Sequence, residues 1–247
     1  RDCQMLADAS RRAGRTKMEG QCYYRMGVLY DNQQDYAQAI ECYKKFLLAC
    51  RRTGDAEGEA LALNHLGVDY QLMGPEQYHR AVACHARHRD VADDRGKYTA
   101  HCNLGLLFME AGRHDRAAIN FRHALRYAIH LSNLSGERYA YEQLSTAGTM
   151  RGDTKFARSC MERCLALCTT ANDVDGRQAA FSQLGRLATA RGDFEEASKC
   201  FSASLEVKAD SVESPAAKQI RCELGVALGN VAFDDFVRGL SDQLTQS

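Results

Sequence analysis

Cysteine and histidine carry most of the reactive side chains in this chain, 11 and 8 of its 247 residues. Cys160, Cys164 and Cys168 lie at i, i+4 and i+8, along one face of a helix. A zinc site there would need a fourth ligand and tight convergence, which this spacing does not supply. Cys42, Cys84, Cys160 and Cys200 recur at one phase, which suits small apolar packing residues better than ligands. The odd cysteine count and the lack of any CxxC pair fit a reducing, cytosolic compartment. His79, Arg80, His85, Arg87, His88 and Arg89 crowd one short stretch. Cys84 and His88 are one turn apart there and could share a metal, but the plainer expectation is a solvated helix face. The second use is a docking patch for an acidic partner, weakening as pH rises through the histidine range.

Catalytic patterns are missing. There is no glycine-rich phosphate loop, no HExxH and no GxSxG between a strand and a helix. His101 shares its column with Tyr23, Leu63, Tyr141 and Phe181, and His114 with Tyr36 and Phe194, so both are expected to pack. The expectation is a non-enzyme with no cofactor and no metal. Lys+Arg and Asp+Glu are both 32, and a neutral chain lacks the basic excess that nucleic-acid binding needs. No apolar run is long enough to span a bilayer. The sequence opens Arg1-Asp2-Cys3 with neither an initiator methionine nor a signal-peptide pattern, as expected for a piece of a longer protein.

The elements that would hold these residues follow from a period. Gly27, Gly67, Gly105, Gly185 and Gly225 recur at about forty residues, with Ser145 in the remaining slot, and this is the signature of a solenoid. Leu66, Leu104, Leu144, Leu184 and Leu224 precede them, and Met26 precedes the first. Tyr30, Tyr70 and Phe108 come three residues later, and Gly74, Gly112, Gly152 and Gly192 mark a break seven residues later. Ala39, Ala117, Ala157 and Ala197 then precede Tyr43, Phe121, Met161 and Phe201 by one turn. Asp55, Asp93, Asn133 and Asp173 stand twelve before the small residue, as helix caps, each with a glycine three residues on. Two antiparallel helices per repeat satisfy all these columns. The glycine and alanine allow close approach, and the rings fill the space between neighbouring repeats.

These Leu-Gly, Tyr, Gly-Asp-Tyr, Ala and Tyr/Phe columns resemble the tetratricopeptide repeat family. The forty-residue period with Asp-x-x-Gly before each hairpin is similar to the subgroup containing the Pins/LGN spindle-orientation proteins, rapsyn and axonemal repeat proteins. The resemblance implies an all-α solenoid, a right-handed superhelix of antiparallel helix pairs running through 1–247. Its expected parts are a truncated helix at 1–14, repeats at 15–54, 55–92, 93–132, 133–172 and 173–210, and a degenerate capping repeat at 211–247. The second repeat gains two residues around Gly74-Pro75-Glu76-Gln77. The fourth has Gly148 in an aromatic slot, so looser packing is expected there.

In such a solenoid the first helices would line a concave groove. The expected partner-binding residues are Gln21, Tyr24, Arg25, Asn64, His65, Asn103, Glu142, Gln143, Gln183 and Arg186. The amides among them would satisfy the backbone of an extended or helical peptide, with weak side-chain bias. Family members that clamp a terminal carboxylate use charged groove positions, and here those slots hold Tyr24 and Val28. The resemblance implies a protein–protein scaffold in a multi-protein complex. Within that class it implies a cytoskeletal assembly, axonemal or spindle-associated, and a cytoplasmic or ciliary location. A peptide-sensing regulatory receptor and a repeat arm of a larger enzyme are the alternatives.

Overall fold

The computed structural model describes residues 2–207 and 214–245, with side chains in the last helix as far as Arg238. Among the described residues the chain is all-α. Its helices are α1 (Asp2–Arg12), α2 (Thr16–Asn32), α3 (Tyr36–Thr53), α4 (Ala56–Leu72), α5 (Tyr78–Val91), α6 (Asp94–Glu110) and α7 (His114–His130). They continue as α8 (Leu134–Met150), α9 (Thr154–Thr170), α10 (Val174–Ala190), α11 (Phe194–Glu206) and α12 (Pro215–Thr245). They form two compact units, Arg1–Ser132 and Asn133–Ser247. In the first unit α2/α3, α4/α5 and α6/α7 are antiparallel hairpins, with α1 against α2, α3 against α4 and α5 against α6. In the second, α8/α9 and α10/α11 are hairpins, with α9 against α10 and α11 against α12.

Helix starts are fixed by short acidic or amide side chains. Asp55, Asp93, Asn133 and Asp173 each accept a hydrogen bond from the backbone N–H of the glycine three residues on, at 2.8 to 3.0 Å. That satisfies one of the orphan donors at a helix N-terminus. Asp35, Asp153 and Asp193 do the same for the second helices. The Asp-x-x-Gly glycine has a second reason. A Cβ on Gly58 would lie 2.5 Å from Cys50 Sγ, and one on Gly176 2.5 Å from Cys168 Sγ. The preceding helix therefore closes directly on the capped turn.

The forty-residue glycine is a socket for a ring. Added Cβ atoms at Gly27, Gly105 and Gly185 would stand 2.6 Å from Tyr43, Phe121 and Phe201 Cε1. Tyr43 and Phe121 are fully buried and Phe201 nearly so. In the second repeat the ring is His85, 2.5 Å from a Cβ on Gly67. The two inserted residues form a 3-10 turn at Pro75–Gln77, and they displace the ring slot by two positions.

One expectation is corrected. Packing at Gly148 is close rather than loose. Its Cβ position lies 2.9 Å from Phe156 Cδ1 and 3.1 Å from the Ala157 backbone nitrogen, so neighbouring helix fills the space left by the missing ring. Where the degenerate capping repeat is expected, the described residues from Pro215 on form a single helix. This helix, α12, is 31 residues long, and a Cβ at Gly225 would meet nothing within 4 Å among the described residues.

Candidate partner-binding face

The first helices of the second unit present an open groove of about 660 Å³. Glu142, Gln143 and Thr146 of α8, Gln183 and Arg186 of α10 and Gln219 of α12 line it. Four of the expected partner-binding residues, Glu142, Gln143, Gln183 and Arg186, thus share one groove. Its charges are held in pairs. Arg138 Nη1 bonds Glu142 Oε1 at 3.1 Å, and Arg186 Nε bonds Glu223 Oε1 at 3.0 Å. Gln143 and Gln183 are half-buried and make no side-chain hydrogen bond among the described residues. Their amides are free to donate and accept at a partner's backbone.

The first unit treats the same positions differently. His65 stacks on Tyr43 with centroids 4.7 Å apart, and the Tyr24 ring meets His65 edge-on at 5.6 Å. Burial lowers the His65 pKa, opposed by the Asp31 charge 3.7 Å away. Tyr43 donates its hydroxyl to Asp31 at 2.5 Å. Asp69 lies beneath, only 2% exposed, and its carboxyl is pushed well above the ordinary carboxylate range by burial and by the Asp31 charge. Asn103 Nδ2 donates to Asn64 Oδ1 at 3.0 Å, joining α6 to α4. Gln21 and Tyr24 line a smaller groove of about 270 Å³, and Arg25 is exposed. Asn64, His65 and Asn103 are therefore engaged with neighbours in their own unit.

The basic cluster requires a further correction. His85 is 0% exposed and His88 4%, so neither belongs to a surface patch. Burial, and then repulsion from His88, lowers the His85 pKa to about 4, and burial lowers that of His88. Neither can supply pH-dependent docking near neutrality. His79, Arg80 and Arg87 are exposed, while Arg89 pairs with Asp90 at 2.7 Å. Sequence reasoning missed the signal that His85 follows Cys84 as Tyr43 follows Cys42, Met161 follows Cys160 and Phe201 follows Cys200. His101 packs as expected, stacked on His123 at 4.9 Å and bonded to Asn120 at 3.0 Å. No cluster of three or more potential metal ligands occurs among the described residues, and no described helix is long and apolar enough to cross a membrane.

Capped helical hairpins whose glycines receive rings from the paired helix define a helical-repeat protein. Residues 20–52 and 98–128 match the family model described as tetratricopeptide repeat. A curated relative, tetratricopeptide repeat protein 29 of Trypanosoma brucei brucei, is 26% identical over 128 residues. That match covers 51% of this chain and 27% of the relative, so the chain spans about a quarter of that protein's length. Among solved structures, BtubC (BKLC) from P. vanneervenii has a TM-score of 0.68 at 18% identity, covering 86% of this chain and 91% of that one. Aspartyl phosphate phosphatase F from Bacillus subtilis has a TM-score of 0.71 at 14% identity, covering 100% and 65%. At these identities the structural likenesses establish the fold alone.

Proposed function

We propose that this chain is a non-catalytic scaffold that holds a segment of a partner protein in the groove of its second unit. The observation that carries the proposal is the pairing of free amides, Gln143 and Gln183, with ion-paired charges around an open space of about 660 Å³. A groove of this size, with a few convergent polar groups, is suited to an extended peptide rather than a whole domain. Amides satisfy backbone N–H and C=O groups without demanding a particular side chain. Tetratricopeptide repeats in general mediate protein–protein contacts, and the chemistry found here fits that use.

The finer reading is a cytoskeletal assembly, axonemal or spindle-associated, in a cytoplasmic or ciliary setting. The resemblance to the forty-residue-period subgroup supports it. Affinity capture from ciliated or dividing cells tests both levels together. Changing Gln143, Gln183 and Arg186 to alanine should deplete the captured partners at least tenfold. An unchanged partner set would overturn the groove, and a set without cytoskeletal proteins would overturn the setting.

A further inference from the structure

Four hairpins pass from first to second helix in three residues, as at 111–113, whereas five residues, 73–77, join α4 to α5. The longer turn opens a space. Gly74, at φ 109°, leads into the 3-10 turn Pro75–Gln77, and α5 starts only at Tyr78. A cavity of about 490 Å³ lies here, walled by the end of α4, the start of α5 and the α6–α7 turn. Gln71, Pro75, Tyr78, Leu107 and Arg113 are among its lining residues. All of them belong to Arg1–Ser132, so this cavity is separate from the groove lined by Gln143 and Gln183.

The cation of this cavity is free and its acid is not. Arg113 stands one residue before a second helix, the slot that Asp35, Asp153 and Asp193 hold in other hairpins. Those aspartates cap α3, α9 and α11, whereas Arg113 makes no side-chain cap bond. Its guanidinium lies over the Tyr78 ring, 5.8 Å from the centroid, and has no ion pair among the described residues. A ring face steadies a guanidinium while leaving its N–H edge available. Arg116 lies over Phe108 at 5.9 Å and is likewise without an ion pair among the described residues. Glu110, the one acid of the lining, already accepts a hydrogen bond from Gln71 Nε2 at 2.7 Å.

We infer that this cavity docks a partner segment that presents an aspartate or glutamate beside a large apolar residue. A carboxylate and a guanidinium meet in two parallel hydrogen bonds, stronger than bonds between neutral groups, and Arg113 offers the edge for them. Pro75 and Leu107 supply apolar wall, and Leu72 and Met73 of the same turn are 55% and 45% exposed. A volume in this range takes a drug-sized ligand, the bulk of a few side chains and not of a folded domain. A basic segment is disfavoured, because it would have to take Glu110 from Gln71 and sit beside the unpaired Arg113. The acidic partner expected of the basic stretch in α5 is thus received at the lengthened turn, and the buried His85 and His88 take no part.

Methyl NMR on the full 247-residue chain tests this with acetyl-Gly-Leu-Glu-Leu-Gly-amide and its counterpart with lysine for glutamate. The glutamate peptide should shift the Met73 and Leu107 methyl signals with millimolar affinity or better, and the lysine peptide should bind at least tenfold more weakly. Arg113→Asp restores the capping residue of the other hairpins, so the fold should hold while binding of the glutamate peptide falls at least tenfold. Arg113→Gln, which removes the charge alone, should weaken it in the same direction. Arg87→Ala, at an exposed position elsewhere on α5, should leave it unchanged. Equal binding of the two peptides, no shift at Met73 and Leu107, indifference to Arg113→Asp, or an equal loss in Arg87→Ala would overturn the proposal.

Discussion

The two units spend the same repeat positions in opposite ways. In Arg1–Ser132 the polar residues of the first helices bond to each other or stack on socket rings. Asn103 holds Asn64, and His65 lies on Tyr43. In Asn133–Ser247 the corresponding Gln143 and Gln183 border an open groove, and a Cβ at Gly225 would meet nothing within 4 Å among the described residues. One repeat pattern can therefore build either a sealed face or an open one. The difference lies in which side chains have a ring or an amide within reach. Buried polar groups are costly without partners, and the Asn64–Asn103 bond meets that cost for the amides of the first unit, while Asp69 Oδ2 and His85 Nε2 remain without a partner among the described residues.

The largest effect should separate filled from unfilled ring positions. Phe121→Ala empties a socket whose ring is fully buried, and it should cost about 3–5 kcal/mol. Phe236→Ala removes a ring that is 62% exposed, and it should change stability by no more than about 0.5 kcal/mol. Chemical denaturation of both variants reads the contrast directly. Equal losses would mean that α12 is packed within the chain.

Much of this contrast is legible in the amino-acid pattern, and the illegible part has physical causes. The forty-residue glycine, the capping Asp and the ring column predict hairpins, because each is a local requirement of close helix packing. His85 was hidden by composition: it stands among arginines and other histidines, and only its register behind Cys84 reveals a core ring. The Asn64–Asn103 bond was hidden as well. It joins side chains 39 residues apart, and periodicity alone cannot say whether two aligned amides face each other or solvent. Leu224-Gly225 keeps the repeat signature but lacks the turn that should follow it, so the pattern beyond it reads as a degenerate cap and does not specify one long helix.

A smaller effect concerns ligand contact. Substituting Asn64 and Asn103 with alanine removes amides that already serve each other, so partner capture should stay within about twofold, a few tenths of a kcal/mol. Substituting Gln143 and Gln183 should weaken capture about tenfold, near 1.4 kcal/mol. Titration of the captured partner segment against both double variants decides between them. Loss confined to the first pair would reverse the assignment of sealed and open faces.

The smallest effect is a pH slope confined to the sealed unit. Asp69 binds its proton more tightly in the fold than in the unfolded chain, where its pKa is near 3.8. Its contribution to stability is thus full below about pH 4 and is lost as pH rises through the higher folded value. His85 has the opposite sign. Its pKa falls from 6.5 to about 4, so its contribution is present above pH 6.5 and lost as pH falls toward 4. Asp69→Asn keeps the side-chain shape and removes the first slope only. Hydrogen exchange in α4 should then slow relative to the parent at pH 8, with the difference shrinking toward pH 4, while α10 should show no change. An α4 that exchanges faster in the variant at pH 8 would show that the charged carboxylate, and not its protonated form, is what the sealed face requires.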